Sequence, residues 1–310
     1  MPSNAARTTM TPPRAAASSP VPRVLRTAVS GPRQEASVPP AIVLDNVVAR
    51  FGELRALYLP RLEVRPGERL FVLGHSGSGK TTLARLIKGR LAPAAGRLRV
   101  LGQDPADPAQ RRALARRVAM IDQEFHLVPR LRVVDNVLHG CLGRVPAWRS
   151  LVGLYPAAEW RRAESILDEV GLGGLGERRV DTLSGGQRQR AAIARALMQQ
   201  ADVILADEPV SNLDPELAED ALELLVGCVA RRGVTLIVNL HQPELAKRFA
   251  SRLVGLADGE LVFDGPPEAF TAEDAQRVYR SGRPARSSDD QLAPGARAAA
   301  ALQGLRLAHG

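Results

Sequence analysis

The stretch Gly74-His75-Ser76-Gly77-Ser78-Gly79-Lys80-Thr81 decides the fold of this chain. It fits the pattern G-x-x-x-x-G-K followed by Ser or Thr, which binds phosphates when a strand precedes it and a helix follows. Both flanks agree, because residues 69–73 form a short apolar run and residues 81–88 have a helical pattern. The glycines let backbone N–H groups turn toward an anion, and the helix N-terminus adds its dipole. We therefore expect a phosphate-binding loop.

Three side chains at the end of this loop have the chemistry to hold a nucleoside triphosphate. Lys80 would reach the β- and γ-phosphate oxygens, and the hydroxyl of Thr81 would bind Mg²⁺. Thr82 would add a contact to the α-phosphate. A Gly/Ser turn that matches the pattern by chance is the weaker alternative, since a strand and a helix flank it.

A second element is an apolar run, residues 203–206, that leads directly into Asp207 and Glu208. This pattern is typical of a buried parallel strand that ends at the edge where α/β sheets bind ligands. Asp207 is a candidate Mg²⁺ ligand, and Glu208 is a candidate base that orients attacking water. The alternative is a strand end followed by an ordinary polar turn.

The composition is that of a globular protein and weighs against several other classes. Of the 310 residues, 45% are hydrophobic and 24% are charged, and no apolar run reaches the roughly 18 residues of a membrane span. The net charge of +9 is concentrated at the ends: residues 1–40 hold five arginines and one glutamate, and residues 281–310 hold four arginines and two aspartates. With 4% aromatic residues for base stacking, we expect no nucleic-acid partner.

Short β-branched runs alternate with helical patterns between these ends, which predicts an α/β fold with a mostly parallel sheet. The predicted strands are residues 41–48, 61–64, 69–73, 118–121, 203–206 and 235–240. Residues from about 124 to 180 read as a helical insertion. We expect one domain over residues 41–270, a disordered extension over residues 1–40, and a largely disordered tail over residues 271–310.

A third element, Leu183-Ser184-Gly185-Gly186-Gln187, precedes the helical pattern of residues 188–198. Ser184 is a good N-cap and the glycines expose backbone N–H groups, so this is a second anion-binding helix start. Together with the strand that ends in Asp207-Glu208, it resembles the signature of the ATP-binding-cassette (ABC) ATPase family. The resemblance covers about residues 41–270 and implies a P-loop NTPase, ABC-type nucleotide-binding domain with an N-terminal antiparallel β subdomain and a helical insertion.

The resemblance also implies roles for further residues. Phe51 would stack on adenine, Gln123 would meet Mg²⁺ and the membrane partner, and His241 would contact the γ-phosphate. Residues 211–214 match the family's D-loop. The implied catalytic residues are Glu208, His241 and Gln123. Two positions depart from the family pattern: His75 stands where proline is usual, and Asp122 stands where phenylalanine is common.

Finer features resemble the phosphonate-import group of this family, namely residues 136–140 and 142–144, Trp148, and Asn239-Leu240-His241-Gln242. The group implies an ATPase subunit at the cytoplasmic face of the inner membrane that couples ATP hydrolysis to uptake of phosphonate or a related phosphorus oxyanion. Two alternatives stay open: a subunit of a soluble carbon–phosphorus lyase complex, and an importer subunit for another solute.

The partners follow from the same resemblance. One phosphate loop and one signature per chain imply that a second copy of the chain completes each ATP site, as in the family. Transmembrane permease subunits would bind the ATPase directly, and a periplasmic solute-binding protein would act on it indirectly. ATP and Mg²⁺ are the implied cofactors.

Overall fold

The described residues of the computed structural model are 38–151 and 153–280, and the side chains of Ala147 and Leu151 are not described. They form one nine-stranded sheet with helices on both faces. The strands are β1 (Ile42–Phe51), β2 (Leu54–Val64), β3 (Arg69–Leu73), β4 (Ala95–Val100), β5 (Val118–Ile121), β6 (Val203–Asp207), β7 (Thr235–Leu240), β8 (Arg252–Ala257) and β9 (Glu260–Gly265). The helices are α1 (Lys80–Ile87), α2 (Pro108–Arg117), α3 (Val133–Leu138), α4 (Ala147–Leu151), α5 (Ala157–Glu169), α6 (Gly185–Met198), α7 (Pro215–Arg232), α8 (Pro243–Phe249) and α9 (Ala272–Tyr279).

The sheet has a parallel part and an antiparallel part, in the order β4-β1-β2-β9-β8-β3-β7-β6-β5. Strands β8, β3, β7, β6 and β5 are parallel neighbours. The pairs β1–β2, β1–β4 and β8–β9 are antiparallel. A single parallel residue pair, Tyr58 with Glu260, joins β2 to β9. Because β3, β6 and β7 are parallel, their carboxyl ends meet at one edge, where the phosphate-binding loop, the Asp207-Glu208 pair and His241 converge.

Strand β3 shows how the core is divided. Alternate residues of a strand face opposite sides of the sheet. Accordingly Phe71 and Leu73 belong to a hydrophobic cluster with α3, α5, α6 and α7, whereas Leu70 and Val72 belong to a second cluster with α1, α2 and β1. All six residues of β7 are buried, as expected for a central parallel strand covered on both faces.

The predicted α/β fold, the parallel sheet, the antiparallel N-terminal strands and the helical insertion are confirmed. The structure adds three strands, β4, β8 and β9, and starts β2 at Leu54 rather than at residue 61. Strand β4 reads Ala-Gly-Arg-Leu-Arg-Val, and its first three residues are exposed. An edge strand with glycine and arginines lacks the apolar run that marked the central strands, so its sequence carries a weak signal.

The ordered chain continues past residue 270, so the prediction of a largely disordered tail from residue 271 is wrong for α9. Thr271 and Asp274 form a reciprocal capping box at its start, and Val278 is fully buried against β8. The helix has eight residues and one fully buried apolar side chain, Val278, which is a short signal beside the unpatterned residues that follow it. The expectations for residues 1–37 and 281–310 lie outside the described residues. None of the described helices has the length and apolarity that a membrane span needs.

Candidate nucleotide site

The phosphate-binding loop joins the end of β3 to the start of α1. Gly77 and Gly79 have φ values of +80° and +107°, which side chains other than glycine rarely adopt. At Gly74 a Cβ atom would lie 2.2 Å from Ser78 Oγ and 2.6 Å from the Leu256 carbonyl oxygen, so only glycine fits. Gly79 is the N-cap of α1 and gives no side-chain cap, which leaves the first N–H groups of the helix available to an anion.

Lys80 places a buried ammonium group against this loop. Its Nζ donates hydrogen bonds to the carbonyl oxygens of Gly74 (2.8 Å) and His75 (3.0 Å). Burial lowers the pKa of Lys80 to about 8, although the nearby carboxylates of Glu208 and Asp207 act in the opposite direction. An anion bound at the loop would stabilise the charged form of Lys80, which burial disfavours.

Asp207, at the carboxyl end of β6, faces the same loop. Thr81 Oγ1 lies 3.4 Å from Asp207 Oδ1, and Asn239 Nδ2 donates to that same oxygen at 2.7 Å. Asn239 is the register partner of Asp207 on β7 and is buried. The amide of Asn239 therefore fixes the carboxylate, while its own Oδ1 has no hydrogen-bond partner in the described part of the chain.

Glu208 and His241 form a close pair beside the loop. His241 Nε2 contacts Glu208 Oε1, and His241 Nδ1 lies 2.9 Å from the Gly74 carbonyl oxygen. Both neighbours are hydrogen-bond acceptors, so a ring nitrogen that carries a proton donates to the neighbour it faces. The hydrogen bond from His241 is the main cause that lowers the pKa of Glu208 below its usual range, so Glu208 is a carboxylate at neutral pH.

The backbone at Glu208 turns this carboxylate toward His241. Glu208 has a φ of +51°, and its N–H donates to the carbonyl oxygen of Asn239 at 3.1 Å. The backbone N–H and hydroxyl of Ser211 both donate to the Glu208 carbonyl oxygen. These bonds hold a left-handed conformation that is unusual for a residue other than glycine, as is common where a side chain has to be aimed.

These contacts form one cluster, because His241 Nδ1 also lies 3.4 Å from Lys80 Nζ. Five residues predicted from sequence are thus brought together: Lys80, Thr81, Asp207, Glu208 and His241. We call this set the phosphate-side cluster. It holds a buried cation, a fixed carboxylate and a hydrogen-bonded acid–base pair at the mouth of an anion-binding loop, which is an arrangement suited to phosphoryl transfer.

The signature residues are not part of this cluster. Ser184 caps α6: its Oγ accepts from the Gln187 N–H at 3.2 Å, and Gln187 Oε1 accepts from the Ser184 N–H at 3.0 Å. A Cβ atom at Gly185 would lie 3.7 Å from Leu213 Cδ2, in the segment that precedes α7. In residues 38–151 and 153–280, no hydrogen bond or ion pair links residues 184–187 to the phosphate-side cluster.

Two other predicted residues lie apart as well. Gln123 follows β5 on the same sheet edge, is exposed, and has no hydrogen bond to another described residue. Phe51 ends β1 and is 45% exposed, a high value for a phenylalanine. The structure therefore leaves both side chains accessible, and their roles remain predictions.

The two departures from the family pattern have structural surroundings. His75 Nδ1 contacts the Ser76 carbonyl oxygen at 2.7 Å, and His75 Nε2 faces Asp258 at 3.7 Å, beyond hydrogen-bond distance. Asp122 lies 3.3 Å from His126 Nδ1 and 3.8 Å from Arg90. Asp122 therefore belongs to the contacts that shape the loop after β5, which sequence reasoning left unexplained.

Sequence reasoning missed two residues that support the cluster, Asn239 and Tyr279. Asn239 had a usable signal, because neighbouring parallel strands that end at one edge bring their last residues into register. Tyr279 on α9 donates from its hydroxyl to the His241 carbonyl oxygen at 2.8 Å. It gave no signal, because it stands 38 residues beyond its partner in a segment predicted to be disordered.

Comparison with protein families agrees with this geometry. The family model described as "ABC transporter" matches residues 60–211. A phosphonates import ATP-binding protein of Natronomonas pharaonis is 45% identical over 236 residues, which cover 76% of this chain and 98% of the relative. A protein of the same name from Rhodopseudomonas palustris strain BisB18 is 42% identical, with coverage of 77% and 89%.

Solved structures give the same result. An ATP-binding cassette determined as a dimer in a post-hydrolysis state, bound to ADP and Pi, is 30% identical with a TM-score of 0.62 and covers 73% of this chain and 98% of its own. A nucleotide-free cassette from an ABC transporter is 25% identical with a TM-score of 0.63, at 77% and 94% coverage. The fold predicted from the motifs is confirmed, and this chain belongs to the ABC transporter family, as one of its ATP-hydrolysing ATP-binding proteins.

Proposed function

We propose that this chain is the ATPase subunit of an importer for phosphonates or a related phosphorus oxyanion. The observation that carries the ATPase part is the phosphate-side cluster, in which His241 contacts both Lys80 and Glu208 at the phosphate-binding loop. The cargo rests on the names of relatives that are 42–45% identical over most of their length.

ATP binding uses the loop and its first helical turn. The backbone N–H groups of residues 76–79 and the α1 N-terminus surround the β- and γ-phosphates, and Lys80 supplies the cation. Thr82, on the first turn of α1, contacts the α-phosphate. Phe51 supplies the exposed ring on which adenine stacks.

Hydrolysis uses Glu208 and His241. The Glu208 carboxylate accepts a proton from water as the water oxygen attacks the γ-phosphorus and the bond to the β-phosphate oxygen breaks. Its lowered pKa keeps Glu208 in the form that accepts this proton at neutral pH. With ATP bound, the N–H of His241 Nε2, which faces Glu208 Oε1 in the structure, donates to a γ-phosphate oxygen and stabilises the charge that develops there.

The residues around Asp207 fit a magnesium ion. Mg²⁺ prefers hard oxygen ligands and takes one or two carboxylates together with substrate phosphates. Thr81 Oγ1 and Asp207 Oδ1 lie 3.4 Å apart, and Gln123 follows the neighbouring strand. The described residues contain no group of three His, Cys, Asp or Glu side chains that could hold a metal without a substrate. Thr81, Asp207 and Gln123 would hold the ion, which would neutralise phosphate charge.

A second copy of the chain completes the site. The helix start formed by Ser184, Gly185, Gly186 and Gln187 has glycine N–H donors, and within the described residues it makes no hydrogen bond to the phosphate loop of its own chain. In the proposed dimer this helix start covers the ATP held by the other copy. ATP then stabilises the closed pair, and hydrolysis removes that stabilisation.

The helical insertion offers a surface for the permease. Leu142, Trp148 and Leu154 are 45%, 62% and 59% exposed, which is unusual for large apolar side chains. They follow the loop that contains Gln123 along the chain. The residue proposed to meet the nucleotide-bound Mg²⁺ and the surface proposed to bind the permease therefore belong to one segment. We place the ATPase at the cytoplasmic face of the inner membrane, with transmembrane permease subunits as direct partners, a solute-binding protein as an indirect partner, and no nucleic acid.

The test is ATP hydrolysis by the reconstituted transporter with its solute-binding protein. The proposal predicts a higher rate when that protein carries an alkylphosphonate than when it is empty, with phosphate and phosphite as the close competitors. Stimulation by an amino acid or a sugar, with none by any phosphorus oxyanion, would contradict the cargo and leave the ATPase mechanism standing. Co-purification with soluble lyase subunits instead of a permease would contradict the importer.

A further inference from the structure

Helix α9 is built to hold a fixed position on the sheet. Its N-terminus is closed by the reciprocal bonds between Thr271 and Asp274. Val278 is fully buried, and the space between it and β8 is so small that a Cβ at Gly255 would lie 2.5 Å from Val278 Cγ2. A turn of chain before α9 is fixed too, since Phe270 packs edge-on against Phe263 with ring centroids 4.9 Å apart.

This packing places Tyr279, the last residue of α9, beside the turn between β7 and α8. The Tyr279 hydroxyl donates to the His241 carbonyl oxygen at 2.8 Å. Burial raises the pKa of Tyr279 to about 12, so the hydroxyl keeps its proton across the working pH range. A tyrosine held by a capped and packed helix is a rigid donor, unlike a side chain on a mobile segment.

The His241 carbonyl oxygen has no other hydrogen-bond donor in the described part of the chain. Helix α8 begins two residues later at Pro243. The hydrogen bond at its N-terminus runs from the Ala246 N–H to the Gln242 carbonyl oxygen, not to that of His241. The helix therefore does not hold the backbone of His241. Tyr279 supplies the bond that the turn lacks.

The side chain of His241 needs such a support because it meets two acceptors at once. Its Nδ1 faces the Gly74 carbonyl oxygen at 2.9 Å and its Nε2 faces Glu208 Oε1. A shift of the backbone by a few tenths of an ångström would lengthen one of these contacts, since the ring is rigid and reaches both from one Cα. Positioning errors of this size are costly in catalysis.

We propose that Tyr279 is a positioning residue for ATP hydrolysis, which fixes the His241 backbone from α9 so that the imidazole stays aligned between Gly74 and Glu208. The inference rests on the role proposed for His241. It makes α9, which lies outside the matched family model at residues 60–211, part of the support of the site.

The variant that tests this is Tyr279→Phe in the full chain, which keeps the ring and removes the hydroxyl. The net free energy of one hydrogen bond corresponds to roughly a two- to tenfold change in rate. We therefore expect kcat to fall by about that factor. We expect KM for ATP to stay within about twofold, because Tyr279 does not contact the nucleotide. Tyr155→Phe is the matched control: Tyr155 packs on Trp160 in the helical insertion and should leave kcat unchanged.

A double-mutant cycle with His241→Ala separates positioning from general stability. If Tyr279 acts through His241, Tyr279→Phe lowers kcat in the wild-type background and leaves the residual rate of His241→Ala unchanged. In the NMR spectrum of the nucleotide-free chain, the His241 ring resonances, assigned by their loss in His241→Ala, should shift in Tyr279→Phe and stay in place in Tyr155→Phe.

The outcomes distinguish the two claims. An equal fractional loss of kcat in both backgrounds, or an unmoved His241 resonance with wild-type kcat, would overturn the role of Tyr279 and leave His241 as proposed. A His241→Ala variant that hydrolyses ATP at the wild-type rate would overturn both, since Tyr279 would then have no catalytic side chain to position.

Discussion

The phosphate-side cluster and the signature helix start are both built to meet phosphate, and they differ in how complete they are. In the cluster, His241 contacts Lys80 and Glu208, and Thr81 contacts Asp207, all within one chain. At the signature, Ser184 bonds to Gln187 of its own helix and to none of those residues. One region has its catalytic partners in the same chain, and the other has only its cap.

The difference follows from how each region is held. The cluster sits where three parallel strands end, so the sheet register alone brings Asp207 opposite Asn239 and sets Glu208 beside the following turn. The signature starts a helix that follows the helical insertion and packs beside the start of α7. Because the signature and the phosphate-side cluster share no hydrogen bond or ion pair within the described residues, we propose that a second copy of the chain brings them together.

Replacing Glu208 by Gln should have the largest effect on the phosphate-side cluster. An amide cannot accept the proton from water, so hydrolysis should fall by about 10²- to 10⁴-fold while ATP binding stays intact. Single-turnover hydrolysis and equilibrium nucleotide binding measure the two effects separately. ATP should then hold the variant as a dimer on size exclusion. Hydrolysis at the wild-type rate would remove Glu208 from the catalytic role.

Replacing Lys80 by Ala should weaken nucleotide binding itself. Hydrogen bonds from a charged donor contribute about 1.5–3 kcal/mol, which corresponds to about a ten- to hundredfold rise in Kd for ATP. Lys88→Met is the matched control, because Lys88 is a half-buried lysine whose pKa is also lowered to about 8, and its Nζ bonds to the Val118 carbonyl oxygen outside the site. If Lys88→Met weakens ATP binding as much as Lys80→Ala, the loss of affinity reflects a less stable fold and not the missing ammonium group of Lys80.

The pKa of Lys80 gives ATP binding a pH dependence that only the phosphate-side cluster should show. Lys80 loses its proton near pH 8 in the free chain, and bound phosphates raise its pKa, so ATP binding above pH 8 takes up a proton. Affinity should therefore be constant below that pH and fall by up to about tenfold per pH unit above it. Titrations with ATP from pH 7 to 9.5 test this. Lys80→Arg stays charged and should bind with a flat profile, and a sloping one would assign the titration elsewhere.

The smallest effect is expected at the signature in a single chain. Ser184→Ala removes an N-cap, which costs about 1 kcal/mol and lowers the melting temperature by roughly 2–4 °C. ATP affinity of the monomer, measured below the dimerisation concentration, should change by less than about twofold. A large loss of monomer affinity would place Ser184 in the same site as Lys80 and erase the contrast between the two regions.

The sequence predicted the phosphate-side cluster well because its residues belong to short motifs with strong local geometry. The loop from Gly74 to Thr81 requires glycine at positive φ, and the run into Asp207 and Glu208 is a buried strand in any α/β fold. Three strands were predicted with their observed limits, since β3, β5 and β7 are short runs dominated by apolar residues that are buried in the sheet.

Contacts between distant segments could not be predicted in this way. The hydrogen bond from Tyr279 to His241 depends on α9, whose place is set by Val278 and Gly255 across the sheet. Strands β8 and β9 were missed because a glycine, Gly255, interrupts β8 and because β9 is bounded by the charged residues Glu260 and Asp264. Such features come from tertiary packing, which overrides weak local signals.

The central claim is that the two regions complete one another between copies of the chain, and mixing two defective variants tests it most directly. Lys80→Ala spoils the phosphate side, and Ser184→Arg spoils the signature. If sites form between copies, each variant alone has no intact site, whereas a mixed dimer has one.

We therefore predict that both variants are inactive alone and that ATP hydrolysis returns on mixing, up to about half of the wild-type rate per mixed dimer. As a reciprocal control, an excess of the double variant should inhibit wild-type chains, because every mixed dimer then lacks an intact site. No activity at any mixing ratio, with both variants folded by their melting temperatures, would contradict the account and place both halves of the site in one chain.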